Sequence, residues 1–240
     1  MNIHGSIALV TGANRGLGAR LVRELLEAGA TRVYVTAREP RTLDRTETSA
    51  DPRVRALGLD ITDPVSVAAA VDAARDVTLL VNNAGVLNFG GIVDVDIDAV
   101  ERDLATNYVG TLRVTQAFVP TLRRNRPAAV VNVLTLIALA PVPGMAGYSA
   151  SKAAAHSMTQ ALRAELRGTG IDVIGAYPGG IDTDMLAGVD AVKADPAEVA
   201  RRLVTGIQTG STVIWPDDAS AAAGSVYLAD PIKLETLLAG

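Results

Sequence analysis

The stretch NVLTLIALAPVPGMAGYSASK, residues 132–152, holds three side chains whose types and spacing suit proton chemistry. Tyr148 and Lys152 are four apart, so on a helix they share a face. A phenol is a poor acid or base near neutrality, with an ordinary pKa of about 10. An ammonium beside it stabilises the phenolate and lowers that value. Thr135, thirteen residues before the tyrosine, ends an apolar run with a lone hydroxyl. That hydroxyl can hold a substrate oxygen and help stabilise negative charge developing on it. Such a set moves a proton to or from an oxygen atom. Taken singly, the Tyr/Lys pair is also an ordinary helix surface and the threonine an ordinary strand residue.

The surrounding elements must place these groups. Short β-rich runs at 6–11, 32–37, 54–59, 78–81, 128–133, 172–177 and 212–216 alternate with helical patterns at about 16–28, 64–75, 97–125, 149–167 and 196–208. Several of the runs are apolar throughout, as strands covered on both faces should be. Strand–helix alternation means βαβ units. The expected fold class is α/β, a Rossmann-like doubly wound parallel sheet of about seven strands with helices on both faces. No linker or repeat divides the chain, so one domain over 1–240 is expected. Asp195, Pro196 and Glu198 read as the capped start of a helix.

Composition narrows the function. Hydrophobic residues make up 49% of the 240 and charged residues 20%, enough for a sizeable core. A net charge of −4 argues against nucleic acid or an anionic membrane as a partner. Cysteine is absent, which removes disulfide and thiolate chemistry, and His4 and His156 are the only histidines, so no metal site is expected. The start, MNIHGSIALVTG, lacks a signal-like apolar run, and no run reaches the length of a membrane span. A cytoplasmic protein is expected.

A glycine turn, TGANRGLG (11–18), joins the first strand to the first helix, with Gly12, Gly16 and Gly18 in a G-x3-G-x-G spacing. Such a turn lets the backbone approach a pyrophosphate, while the helix start offers free N–H groups and a favourable dipole. No Lys-Ser/Thr pair follows, so it is not a P-loop. The second strand ends TAREP. An acid there would bond the ribose 2′-hydroxyl of NAD(H). Here Ala37 is small and neutral, Arg38 follows, and Arg15 sits in the glycine turn. Two guanidiniums without an acid suit a 2′-phosphate, hence NADP(H) rather than NAD(H).

TGANRGLG (11–18), LDITD (59–63), NNAG (82–85), Asn107, YSASK (148–152) and PGGIDT (178–183) occur in this order. The set resembles the short-chain dehydrogenase/reductase family over essentially residues 5–216. The resemblance implies an NADP-dependent oxidoreductase interconverting a ketone and a secondary alcohol, with Asn107, Thr135, Tyr148 and Lys152 catalytic. It implies cofactor contacts from Gly12, Asn14, Arg15, Gly16, Leu17, Gly18, Ala37 and Arg38. Asp60 should bond the adenine amino group with Ile61 beside the ring, and Asn83, Ala84 and Gly85 should line the ribose side. Pro178, Gly179, Ile181 and Thr183 should hold the carboxamide, and Lys152 should also bond the nicotinamide ribose. Asn107 is associated in the family with a helix distortion whose backbone holds a water on the proton path. The family usually has serine where this chain has Thr135. Threonine keeps the hydroxyl and adds a methyl with fewer rotamers, so activity is expected in a tighter or reoriented pocket.

The expected substrate surroundings are apolar: Leu136, Ile137, Leu139, Val142, Met145, Met185 and Leu186, with Asn88 and Phe89 at the rim. No charge obviously points in, so a small neutral, hydrophobic ketone or alcohol is the expected partner. The segment 184–195 is expected to cover the substrate and to order on binding. The tail 217–240 gives mixed signals and is a candidate contact in a homodimer or homotetramer. Two other readings are an NADP-binding regulator without enzymatic activity and a non-redox dehalogenase-like or epimerase-like relative. The intact glycine turn and Tyr/Lys pair weigh against both.

Overall fold

The computed structural model describes residues 1–239; Gly240, the last residue of the expected tail, lies outside them. Strands β1 (Ile7–Val10), β2 (Arg32–Ala37), β3 (Val54–Gly58), β4 (Leu79–Asn82), β5 (Ala128–Val133), β6 (Ile171–Ala176) and β7 (Val213–Ile214) form one sheet. Its order is β3-β2-β1-β4-β5-β6-β7, every pairing parallel. The order reverses between β1 and β4, which opens a crevice at their carboxyl ends.

Alternate residues of each strand face opposite layers. Val10, Val35, Val81 and Val131 pack with Leu21, Leu25, Leu203 and Ile207 of α1 (Gly16–Glu27) and α6 (Pro196–Gln208). Leu9, Tyr34, Leu80 and Val130 pack with Val67, Val114, Phe118 and Leu122 of α2 (Pro64–Ala73) and α4 (Thr111–Arg124). Burial on both faces explains the unbroken apolar strands.

The patterned stretch 97–125 is not one continuous α-helix. It runs as α3 (Ile97–Leu104), a π-helical segment Ala105–Gly110, and α4. Gly110 is in the segment because Ile61 crosses it: a Cβ there would lie 2.8 Å from Ile61 Cγ1. The next helix, α5 (Ala146–Glu165), starts before Tyr148 and packs against α3. The tail folds as α7 (Asp218–Ala229) and α8 (Pro231–Ala239). Asp217 starts α7 with a reciprocal capping box to Ser220, a signal present in the sequence as Asp-x-x-Ser. Among the described residues, no helix is long and apolar enough to cross a membrane.

Candidate active site

The glycine turn leaves β1 at the crevice. Gly12 is left-handed (φ 65°), and a Cβ there would lie 2.9 Å from Ala84 Cα, so the turn and the strand end of β4 touch backbone to backbone. Thr11 ties the two together. Its hydroxyl accepts from the backbone N–H of Asn83 and of Ala84, both at 2.9 Å. Asn83 donates back through Nδ2 to the carbonyls of Thr11 (2.9 Å) and Gly12 (3.0 Å). The Asn83 amide is thus bound to the turn rather than presented to a ligand.

Helix α1 begins without a side-chain cap and with no acid in its first turn. Its first N–H groups therefore face the crevice beside three glycines, a cradle that fits a dinucleotide pyrophosphate. Leu17 is buried in the core and supports the turn from behind, while Asn14 is half-buried at its lip. Ala37 is buried at the end of β2 and Arg38 is exposed just beyond it. Arg15 is also exposed, and its Nη1 donates to Asp184 Oδ2 at 2.7 Å. It is therefore paired to the segment after β6, where the sequence reading has it free for a ribose.

Asp60 is half-buried and accepts from the Thr62 amide (2.8 Å) and hydroxyl (2.7 Å). The hydroxyl bond is the main reason its carboxyl stays below the usual range. Ile61 is buried against Gly110 in the core.

Tyr148, Lys152, Thr135 and Asn107 are all buried. Asn107 lies in the π-helical segment, and its amide is fully engaged. Oδ1 accepts from Val86 N (2.9 Å), and Nδ2 donates to Val86 O (2.8 Å) and Ser151 Oγ (2.9 Å). Ser151 in turn donates to the Tyr148 carbonyl at 2.7 Å. The side chain of Asn107 thereby clamps the loop after β4 to α5 between the tyrosine and the lysine. Gly85 sits in the same place: a Cβ there would be 3.0 Å from Asn107 Oδ1 and 3.6 Å from Lys152 Nζ.

Lys152 donates to the Val133 carbonyl at 2.9 Å and places Nζ 5.9 Å from the centroid of the Tyr148 ring. Burial pulls its ammonium down to about 8. The phenol of Tyr148 is pushed up, first by burial and second by the carboxylate of Asp103. This reverses the expected direction. Among the protein's own groups, desolvation and a neighbouring acid outweigh the ammonium, which is turned toward a carbonyl. Thr135 is extended at the end of β5, and its hydroxyl reaches only the Pro178 carbonyl, at a long 3.4 Å. A bond of that length holds the hydroxyl weakly and leaves it able to engage another oxygen.

The PGGIDT segment follows β6. Pro178 O accepts from Leu136 N at 2.9 Å, and Ile181 bridges to Ala194. Gly179 N donates to Asp217 Oδ2 at 2.9 Å, so the turn is anchored to the start of α7. Thr183 packs over the glycine turn: a Cβ on Gly16 would be 3.4 Å from Thr183 Cγ2. Segment 184–195 contains a short 3-10 turn, Asp184–Leu186, and Lys193 donates to the Leu186 carbonyl at 3.0 Å.

The expected apolar wall divides. Ile137, Val142, Met145 and Leu186 are half-buried and Met185 is exposed, and Gly90 bridges to Met145, which brings the loop carrying Phe89 against the segment before α5. Leu136 and Leu139 turn away: Leu136 packs with Ala140 and with Leu234 of α8, and Leu139 joins the same cluster. The tail helices that take up these leucines were not read as helices in the sequence. Two acids escaped the sequence reading. Asp217 is buried under the PGG turn, and its signal was the capping box. Asp103 is buried one turn before Asn107, and its signal was an acid on the same helix face as Ala99.

Residues 6–194 match the family model described as short chain dehydrogenase. A 3-alpha-(or 20-beta)-hydroxysteroid dehydrogenase of Mycobacterium tuberculosis is 30% identical over 233 residues, 94% of this chain and 88% of that protein. A short chain dehydrogenase from Burkholderia cenocepacia J2315, solved in complex with NADP, is 38% identical with a TM-score of 0.92, covering 99% of both chains. A short chain dehydrogenase/reductase from Burkholderia phymatum, solved in complex with NAD, has a TM-score of 0.87 over 98% of this chain and 96% of that one. At 23% identity the last likeness concerns the fold alone.

Proposed function

The chain belongs to the short chain dehydrogenase family, an oxidoreductase family, and on that premise we propose that it is an NADP(H)-dependent carbonyl reductase interconverting an apolar ketone and its secondary alcohol. The observation that carries this reading is that the buried Lys152 ammonium lies 5.9 Å from the centroid of the buried Tyr148 ring and bonds Val133 O at the carboxyl end of β5, two residues before buried Thr135, while Gly85 against that ammonium follows Ala84, which touches the glycine turn. When bound, the nicotinamide supplies or takes up the hydride. Tyr148, held as a neutral phenol, gives its proton to the carbonyl oxygen. The Thr135 hydroxyl turns from Pro178 O and donates to the same oxygen. Lys152 holds positive charge beside the phenol as the proton leaves and reaches the ribose. Asn107 fixes the spacing of these groups through Ser151 and the Val86 peptide.

The glycine cradle and the uncapped start of α1 support a dinucleotide, with Gly12, Asn14, Gly16, Gly18, Ala84 and Gly85 lining it. Absence of an acid at Ala37, with Arg15 and Arg38 nearby, supports the 2′-phosphate of NADP(H). The Arg15–Asp184 pair does not oppose this. Both side chains are exposed (67% and 75%), and such a pair is worth at most about 1 kcal/mol, so a dianionic phosphate displaces it. The NADP complex of the 38% identical relative and the hydroxysteroid named for the other relative agree with the cofactor and with an apolar substrate. The exposed apolar side chains of Phe89, Ile92 and Val93, on the loop after β4, support the same substrate class. We place the enzyme in the cytoplasm as a homodimer or homotetramer. A groove of about 590 Å3 between α4 and α5, lined by Leu112, Val119, Met158 and Leu162, offers a contact for a second copy.

The test is NADPH consumption against a panel of apolar ketones, with NADH in parallel. Turnover should be lost in Tyr148→Phe, and the preference for NADPH should fall in the Arg15→Ala/Arg38→Ala double variant. Turnover that survives Tyr148→Phe refutes the mechanism; an NADH preference in the unmodified protein refutes the cofactor assignment alone.

A further inference from the structure

Asp103 has no role in the chemistry so far, yet it is fully buried beside it. Its Oδ1 accepts from Asn88 Nδ2 at 2.8 Å. Its Oδ2 is equally buried and has no partner. A Cβ on Gly147 would lie 3.1 Å from that bare oxygen, so the carboxylate rests against the backbone that leads into Tyr148. An unsatisfied carboxylate oxygen in the interior is costly to keep, and an apolar side chain on this helix face would pack without that cost.

The charged groups set against Tyr148 are few. Asp103 comes from α3 and Lys152 from α5 itself. The segment 132–147 that leads from β5 into α5 carries no charged residue; the loop 83–96 after β4 carries Asp94 and Asp96, and α3 also carries Asp98, Glu101 and Arg102, all five exposed to solvent. Lys152 directs its ammonium to the Val133 carbonyl. The acid therefore acts on the phenol with little opposition.

We propose that Asp103 is a positioning residue whose buried charge keeps Tyr148 in its phenol form and so biases the working pH range toward carbonyl reduction. The inference rests on the reading of Tyr148 as the proton donor. Reduction uses the phenol, whose proton passes to the substrate oxygen. Oxidation of the alcohol uses the phenolate, which takes that proton back. A neighbouring carboxylate penalises the phenolate and leaves the phenol untouched. Tyr148 titrates in the alkaline range, where even a raised carboxyl is ionised, so the penalty is present when it counts. Reduction then persists into alkaline solution while oxidation is deferred to higher pH.

The experiment is Asp103→Asn, which keeps an oxygen acceptor for Asn88 and removes the charge. Two readouts are taken: the pH profile of alcohol oxidation, and the ultraviolet tyrosinate titration with the matching Tyr148→Phe protein subtracted. The rising limb of oxidation should move down by about one pH unit, and the titration of Tyr148 should move with it. Below the original limb, oxidation should therefore rise about tenfold. If the Asn variant does not fold, Asp103→Ser tests the same charge and should give the same shift. An unmoved titration, with or without a loss of rate, overturns the proposal and leaves Asp103 a packing residue. Turnover that survives Tyr148→Phe would sink the catalytic reading instead, and the absorbance titration would still decide the effect of Asp103 on the phenol.

Discussion

Gly18 is in the first turn of α1, and replacing a helical glycine by alanine ordinarily stabilises a protein by up to about 1 kcal/mol. Here the structure reverses the sign. A Cβ on Gly18 would lie 2.2 Å from the Gly12 carbonyl oxygen, 2.6 Å from Asn83 Nδ2 and 3.0 Å from Ala13 Cα. Carbon and carbonyl oxygen ordinarily approach to about 3.3 Å, so the turn must open by about 1 Å. Overpacking of that kind costs about 1–3 kcal/mol. It also displaces the amide that bonds Thr11 O and Gly12 O, at about 1 kcal/mol for each bond. After subtracting the helical gain, Gly18→Ala should lose about 2–4 kcal/mol, a fall in melting temperature of roughly 4–16 °C for a chain of this size. Because the turn that opens is the dinucleotide cradle, NADPH should also stabilise the variant less than the parent. The assay is thermal unfolding with and without saturating NADPH, together with titration calorimetry. A variant that melts at or above the parent and binds NADPH equally would refute the reasoning.

Lys152→Met should abolish turnover yet stabilise the fold at neutral pH. A folded pKa of about 8 against an ordinary 10.5 means the unfolded chain holds this proton more tightly. The resulting penalty is absent above pH 10.5, grows as pH falls from 10.5 to about 8, and is full at pH 7. Of a penalty of about 3 kcal/mol, the lost bond to Val133 O returns about 1, leaving a net gain of about 2 kcal/mol that urea unfolding should find at pH 7 and not at high alkaline pH. Thr135→Ala should lower kcat by about 10²–10³ while barely changing stability, since only a 3.4 Å bond is lost, and Thr135→Ser should restore the rate; unchanged turnover in the alanine variant would remove the hydroxyl from the mechanism. His156 is bonded through Nδ1 to Tyr177 Oη at 2.7 Å, and burial, then Arg163, hold its pKa below 6.5. Its contribution to stability is therefore intact above pH 6.5 and lost as pH falls through the depressed value, and melting curves of His156→Gln should show a flatter decline there.

Features that depend only on neighbours in the chain were legible before folding. The seven strand runs, the glycine turn between β1 and α1, and the Tyr148/Lys152 spacing on one helix face are local patterns of period and turn chemistry, and each has its counterpart in the fold. The alternation of strands and helices was enough for a parallel, doubly wound sheet, because parallel strands need crossovers. Tertiary structure decided whatever depends on a distant partner. Whether Arg15 is free or bound to Asp184, 169 residues later, is such a case. So is the course of Leu136, which follows the tail helices rather than the substrate mouth. The pattern at 97–125 reads as one helix because its apolar spacing continues, yet packing of Gly110 on Ile61 and the bonds of Asn107 to Val86 and Ser151 accompany a π-helical turn within it. The direction in which Tyr148 titrates is likewise beyond spacing. It depends on how deeply the phenol is buried, where the ammonium of Lys152 is turned, and that a carboxylate from α3 lies against the start of α5.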